Sequence, residues 1–230
     1  KDMLYRINKK DLFLEAGIAK NSKKLVVFCA GFPYSPCKKE LAEFFMNNGF
    51  SFFFPRYNGT WEAYGKGKFS LSSAIETIRK AIKFAKKERA REAFANTVLR
   101  WRCNKIFLLA DSFGCYVANS IRKNEIKNAL LFSPPSLRFA DIKEDILRML
   151  AAISRGAFGR CFNINEKRLI SELKEMEQYH CYNWPTAGFT EDPLQYSKID
   201  FALRGKKHGL SEFFRADTDK FSELVRRFFV

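Results

Sequence analysis

Apolar and polar positions along this chain change between two patterns, which predicts a regular succession of strands and helices. Continuous apolar blocks indicate strands that are buried on both faces, and apolar positions three and four residues apart indicate amphipathic helices. The predicted strands cover residues 3–7, 12–19, 23–30, 50–55, 105–110, 126–132 and 198–205. Because helical patterns separate most of them, we expect an α/β fold, with a mostly parallel sheet covered by helices on both faces.

Capping and stop residues in the sequence mark the ends of several predicted helices. "SPCKKELAEFFMNNG" predicts a helix with Ser35 as N-cap, Pro36 at the first helical position and Gly49 at the end. A second helix begins near Ser70 and continues through "IRKAIKFAKKERAREAF", so that a basic helix is expected over residues 78–93. Another follows Ser112, and "TDKFSELVRRFF" predicts a final helix with its apolar side on the sheet.

Residues 137–182 interrupt the alternation of strands and helices. They contain two amphipathic helical patterns, "RFADIKEDILRMLAAI" and "EKRLISELKEMEQY", with no strand between them. Eight Lys and Arg residues are nearly balanced there by seven Asp and Glu residues. We therefore expect a small helical cap at 137–182, inserted into a core formed by residues 1–136 and 183–230.

Length and composition favour one domain with a sizeable core, since the chain has 230 residues of which 47% are hydrophobic. No apolar run approaches the ~20 residues that cross a bilayer, and the start Lys1-Asp2-Met3 is unlike a secretory signal. Six scattered cysteines and two histidines offer no metal-ligand spacing. We expect a soluble cytoplasmic protein without a membrane span or structural metal.

The net charge of +16 raises the question of an anionic partner. Half of this excess lies in residues 65–102, where 11 Lys and Arg residues face three Glu residues. The basic helix expected there has two interpretations, a solvated polar face or a dedicated anion-binding face. Nucleic acid is the less favoured partner on this evidence, although the charge leaves it open.

The stretch "FLLADSFGCYVAN", residues 107–119, places Ser112 at the corner between a strand and a helix. Reactive groups in parallel sheets collect beyond the carboxyl ends of the strands, which is where Ser112 lies. A serine that projects from so sharp a turn needs small residues two positions before and after it, and Ala110 and Gly114 are small. Ser112 is therefore either a nucleophile or a helix cap.

Four segments together resemble the α/β-hydrolase superfamily. "ADSFG" resembles its nucleophile elbow, G-x-S-x-G, with alanine at the first glycine. "LVVFCAGFPYSP" resembles its strand followed by His-Gly-x-Pro, with Ala30 at the histidine, and "FPRYNGTWE" resembles its D-x-R-G-x-G-x-S loop, with Pro55 at the aspartate. "RGKKHGLSEF" resembles the segment that carries the catalytic histidine, and the order of the segments agrees across residues 23–229.

This resemblance implies a serine hydrolase that acts without a cofactor. Ser112 would attack an ester, thioester or amide carbonyl, and His208 would take its proton as the general base. The backbone N–H groups of Phe32 and Phe113 would form the oxyanion hole. The resemblance favours a carboxylesterase acting on a small-molecule ester or acyl substrate.

The orienting acid is open between three residues. "TAGFTEDPLQY" offers Asp192, which we prefer, and Glu191 beside it, while Asp141 follows the strand predicted at 126–132. Only 16 residues separate Asp192 from His208, fewer than a full strand-helix-strand unit needs. His180 is the weaker candidate for the base.

Two further interpretations stand beside these. Trp61, Tyr64 and Trp184 belong either to an acyl pocket or to the core. The main alternative to catalysis is a non-catalytic binding protein of the same fold, which uses the basic helix for an anionic partner.

Overall fold

The computed structural model describes residues 4–36, 38–122, 126, 129–132, 144, 147, 148, 150, 151, 153, 157–178, 210, 214, 215 and 218–229. Its strands are β1 (Leu4–Lys9), β2 (Leu12–Gly17), β3 (Lys24–Cys29), β4 (Phe50–Arg56), β5 (Arg89–Arg91), β6 (Val98–Arg100), β7 (Lys105–Asp111) and β8 (Ala129–Phe132). Its α-helices are α1 (Lys39–Asn47), α2 (Leu71–Ala85), α3 (Gly114–Arg122), α4 (Glu166–Gln178) and α5 (Thr218–Phe228), and two short 3₁₀ helices cover Trp61–Lys66 and Ala157–Cys161.

Six of these strands form one sheet in the order β1-β2-β4-β3-β7-β8. Strands β3, β4, β7 and β8 run parallel, whereas β2 pairs antiparallel with both β1 and β4. Helices cover the sheet, so the predicted α/β class and mostly parallel sheet are confirmed. The carboxyl ends of β3 and β7 lie side by side, with Cys29 opposite Ala110. The loops that follow these two strands therefore meet at one edge.

The two faces of the sheet carry different helices, as the alternation of side chains along β4 shows. The ring of Phe52 stacks 5.5 Å from that of Phe45 on α1, and Phe45 also contacts Phe221 of α5. The next residue, Phe53, faces Phe84 of α2 on the opposite side. Successive side chains of a strand point to opposite faces, so α1 and α5 share one face while α2 covers the other.

Helix α1 begins three residues later than the sequence predicts. Its N-cap is Lys38, which makes no capping bond, so the predicted roles of Ser35 as cap and Pro36 as first helical residue are wrong. The physical reason is a tertiary contact, because the carbonyl oxygen of Pro36 accepts a hydrogen bond from the buried Arg56 guanidinium. The predicted end is confirmed, since Gly49 follows the C-cap with φ 78°.

The basic helix expected over 78–93 ends at Ala85, so its second half is not helical. The indole N–H of Trp101 donates to the Ala85 carbonyl at 2.7 Å, which satisfies an acceptor at the helix end. At Glu88 the chain turns with φ 56° and enters the β5–β6 hairpin. A residue 16 positions away thus stops a helix that its local pattern would continue.

The second cap helix is confirmed as α4, and the first pattern is helical at its described positions. The carboxylate of Glu172 accepts a hydrogen bond from the Ser72 backbone N–H at 3.0 Å, which joins α4 to the start of α2. The domain division at 137–182 remains a prediction, and the strand predicted at 198–205 lies outside the described residues. Among the described residues, no helix is long and apolar enough to cross a membrane.

The fully buried side chain of Arg56 joins three segments of the chain. The Arg56 guanidinium lies 2.8 Å from Glu15 of β2 and 3.0 Å from Glu62, and it sits 4.1 Å above the ring of Phe54. Glu15 is itself buried, and the half-exposed Arg6 side chain lies 4.0 Å from the same carboxylate. The Arg56–Glu15 pair holds β4 against β2, and the hydrogen bond from Arg56 to the Pro36 carbonyl holds the loop after β3 against β4.

Replacing Arg56 with methionine should lower the free energy of unfolding by about 3–5 kcal/mol, because it leaves the buried Glu15 carboxylate with only the half-exposed Arg6 side chain, 4.0 Å away, as a cation. The double variant Arg56→Met with Glu15→Leu should be more stable than the single variant, since no buried charge then remains. Urea denaturation of both variants measures this order. A single variant within about 1 kcal/mol of the wild type would show that the ion pair is dispensable.

Candidate active site

Ser112 sits directly after β7 in a left-handed backbone conformation, with φ 47°. Its N–H donates to the Phe132 carbonyl at 2.9 Å, and its carbonyl accepts from the Cys115 N–H at 2.8 Å. A left-handed conformation is unfavourable for a residue with a β-carbon, and such strain is characteristic of functional turns. The neighbouring strand β8 and helix α3 therefore hold the serine in a conformation that its side chain disfavours.

Gly114 allows this turn because helix α3 starts against the backbone of β3. A β-carbon on Gly114 would lie 1.9 Å from the Cys29 carbonyl oxygen and 2.7 Å from that of Ala30. Both obstacles are backbone atoms of the central sheet, which cannot rotate away. The expected need for a small residue two positions after the serine is thus confirmed at Gly114.

The loop after β3 passes directly over the serine. A β-carbon on Gly31 would stand 3.3 Å from both the Ser112 β-carbon and the Asp111 carbonyl oxygen, so glycine permits this approach. In the part of the chain that the structure describes, the backbone N–H groups of Phe32 and Phe113 donate to no protein acceptor. Two unused donors thus follow Gly31 and Ser112, as an oxyanion hole requires.

Aromatic packing holds both of these donor residues in place. The ring of Phe69 lies 4.2 Å from the ring of Phe32 and 5.4 Å from that of Phe113. Phe162, from the predicted cap, packs edge-on against Phe32 at 5.4 Å. Because these side chains are buried, the backbone that carries the two N–H groups has little freedom to move.

Tyr57 supports the same loop from below. Its hydroxyl donates to the Ala30 carbonyl at 2.9 Å, one residue before Gly31. Burial raises the pKa of the Tyr57 phenol well above its usual value, so the group remains a neutral donor. Tyr34 continues the network, with its hydroxyl 2.5 Å from that of Thr60, and burial raises the pKa of Tyr34 to about 12.

Asp111 connects the serine turn with a distant part of the chain. Its carboxylate accepts a hydrogen bond from the backbone N–H of Leu210 at 3.1 Å, across 99 residues. Leu210 is fully buried and follows His208 by two positions in the sequence. The residue beside the candidate nucleophile thus holds Leu210 in place at the serine turn.

The other predicted site residues lie outside the described part of the chain. This holds for the base His208, the preferred acid Asp192, its alternatives Glu191 and Asp141, and the weaker histidine His180. Ser112, Phe32 and Phe113 are the predicted site residues that the structure does describe, and it brings these three together. Within the described residues, no group of His, Cys, Asp and Glu could hold a metal ion.

Two of the three aromatic residues considered for an acyl pocket belong to the described part of the chain. Trp61 is partly buried, and its indole N–H donates to the Tyr34 carbonyl at 2.8 Å while its ring packs on Phe162. Tyr64 is 43% exposed, and Trp184 lies outside the described residues. Trp61 is thus bonded to the loop after β3 that carries Phe32.

Sequence reasoning missed Tyr57, Asp111 and Arg56 as supports of this site. Arg56 and Tyr57 lie within the loop motif "FPRYNGTWE", so the resemblance could have drawn attention to them. Asp111 stands at an unspecified position of the G-x-S-x-G motif, and its partner Leu210 is 99 residues away. No local pattern indicates such a contact.

Comparison with known proteins finds similarity at the level of solved structures. An esterase from Pyrococcus furiosus matches with a TM-score of 0.48 and 17% identity, over 77% of this chain and 60% of the esterase. A serine hydrolase homologue from Coxiella burnetii matches at 0.42 and 13% identity, over 77% of this chain and 97% of the other. An α/β hydrolase from Penicillium matches at 0.44 and 16% identity, over 78% and 65%.

No protein-family model matches the chain, and no curated protein sequence matches it. The chain spans 60% of the length of the Pyrococcus esterase.

Proposed function

We propose that this protein is a serine hydrolase that cleaves a carboxylic ester, or a related thioester or amide, through an acyl-enzyme on Ser112. The observation that carries the proposal is the strained serine, with φ 47°, beside the backbone N–H groups of Phe32 and Phe113, which donate to no acceptor among the described residues. A helix cap has no need of a left-handed backbone, or of a neighbouring glycine at which an added β-carbon would come within 3.3 Å of its own β-carbon.

In the proposed reaction, the Ser112 hydroxyl attacks the substrate carbonyl while His208 accepts its proton. Negative charge develops on the carbonyl oxygen, and the N–H groups of Phe32 and Phe113 stabilise it. His208 then returns the proton to the leaving alcohol as the tetrahedral intermediate collapses. Water repeats these steps on the acyl-enzyme, which releases the acid and restores the serine.

Asp192 is the preferred residue to orient His208, with Glu191 and Asp141 as the alternatives. A carboxylate in this role holds the correct tautomer of the imidazole and stabilises the imidazolium that forms. Small esters are the favoured substrates, because an alkoxide leaves more readily than an amide nitrogen. The proposed mechanism needs no cofactor.

Labelling with a fluorophosphonate probe tests the proposal, because the probe reacts with activated serines. Intact mass should show a single adduct on the wild type, and peptide mass spectrometry should place it on Ser112. His208→Ala should lose the adduct while it keeps the thermal unfolding midpoint of the wild type. Absence of labelling in folded wild-type protein would contradict the hydrolase proposal.

The separate variants Asp192→Asn, Glu191→Gln and Asp141→Asn then identify the acid. The variant with the largest loss of labelling rate identifies the residue that orients His208. An equal rate in all three would contradict the placement of the acid among these residues.

A further inference from the structure

A second feature of the molecule lies away from Ser112 and plays no part in the proposed hydrolysis. Nine cations line two adjoining hollows with volumes of about 530 and 720 Å³, and among the described residues only two carboxylates, Asp11 and Glu88, line them as well. The first hollow is lined by Lys9, Lys10, Lys80, Lys83, Lys87 and Arg89. The second shares Lys87 and Arg89 and adds Lys20, Arg100 and Arg102. Together we call them the basic groove.

The groove is elongated. At one end it is lined by Asp11 and Leu12, where β2 begins, and at the other end by Ile18 and Ala19, just after β2 ends. A strand of this length spans about 20 Å, at roughly 3.4 Å a residue. The groove can therefore contact several consecutive charges of an extended ligand.

The positive charges of the groove are mostly uncompensated. Among the described residues, Lys80 is the only one of the nine with an acidic partner within 4.0 Å, namely Glu76 at 2.8 Å. Lys83 lies in the last turn of α2 and Lys87 just beyond its C-cap, and both line the first hollow. The charge is therefore concentrated at the groove rather than neutralised within the protein.

The β5–β6 hairpin adds like charges across two strands. Arg89 and Arg100 lie directly opposite each other in the antiparallel ladder, and both are exposed. Like charges at directly opposed positions destabilise a hairpin. A bound anion would remove this repulsion, which gives the arrangement a physical role that a solvated surface lacks.

We infer that the basic groove binds the phosphodiester backbone of single-stranded nucleic acid. The volume of each hollow falls within the range of about 300–1,000 Å³ that holds a small ligand, so each can take the phosphate and sugar of a nucleotide, and a flexible single strand can follow both hollows in succession. A membrane surface is planar and does not enter a concave groove. Lys and Arg side chains bind phosphates, and the resulting affinity falls steeply with salt.

The groove is remote from the serine. Lys20 and Arg102 precede β3 and β7, whereas Ser112 follows the carboxyl end of β7, about 20 Å farther along the sheet. Binding at the groove therefore does not depend on the proposed hydrolase activity, and the two can be tested apart.

Fluorescence anisotropy with a labelled 12-nucleotide single strand of mixed sequence tests the inference. With about four phosphate contacts, raising salt from about 50 to 250 mM should weaken binding roughly 100-fold. The variant Lys83→Gln, Lys87→Gln, Arg89→Gln should bind at least about tenfold more weakly and show a shallower salt dependence. The thermal unfolding midpoint shows that the variant is folded.

A matched control removes three exposed cations that line neither hollow, Arg160→Gln, Lys167→Gln and Lys174→Gln. This control should keep nearly the affinity of the wild type. Equal weakening in both triple variants would overturn the groove as the site, since only net charge would then matter.

The choice of ligand is tested in the same assay. A duplex of the same sequence, polyglutamate and vesicles containing anionic lipid should each bind at least about tenfold more weakly than the single strand. Comparable binding of any of them, or no binding of the single strand at low salt, would overturn the inference.

Discussion

Replacing Ser112 with glycine is expected to abolish fluorophosphonate labelling and to raise the free energy of unfolding by about 1 kcal/mol. The labelling is lost because the variant has no hydroxyl. The stability rises because glycine adopts a φ of 47° without the penalty that a β-carbon imposes there. Gain of stability on loss of the side chain is the signature of strain retained for activity.

Ser112→Ala is the matched control for this prediction. Alanine also lacks the hydroxyl, but it keeps the β-carbon and therefore the backbone strain. It should lose labelling with a stability close to that of the wild type. Urea denaturation distinguishes the two variants, and a glycine variant less stable than the alanine variant would contradict the strained turn.

Replacing Gly114 with alanine is expected to lower the free energy of unfolding by about 3 kcal/mol or more and to remove labelling. The added methyl group would lie 1.9 Å from the Cys29 carbonyl oxygen, so helix α3 must move away from β3. Overpacking against flexible side chains typically costs about 1–3 kcal/mol, and here the obstacle is backbone. The shift also moves Phe113, whose N–H is a proposed oxyanion donor.

Gly65→Ala provides the control for Gly114→Ala. Nothing lies within 4 Å of a β-carbon at Gly65, so this substitution should change stability by less than about 0.5 kcal/mol. Thermal and urea denaturation of the two variants give the comparison. Similar stabilities for the Gly65 and Gly114 variants would argue against the close approach of α3 to β3.

The parts of the structure that sequence could predict depend on short-range patterns. The serine turn follows from an apolar strand, small residues at Ala110 and Gly114, and an amphipathic helix, all between residues 105 and 122. The succession of strands and helices follows from hydrophobic periodicity in the same way.

The incorrect predictions arise where a distant residue competes with the local signal. Pro36 lies outside α1 because its carbonyl binds Arg56, 20 residues later in the chain. The basic helix stops at Ala85 because Trp101 bonds to its last carbonyl. Local propensity carries no information about either partner, so these boundaries required the structure.

Helix α5 has a consequence for how the chain becomes folded during synthesis. The ring of Phe229 lies 4.7 Å from that of Phe107 on β7, and Phe221 contacts Phe132 on β8. These strands are made before α5, so the part of this face that α1 leaves open, over β7 and β8, lacks its cover until residues 218–229 leave the ribosome. Until then growing chains expose aromatic side chains there, which is the kind of surface that molecular chaperones bind.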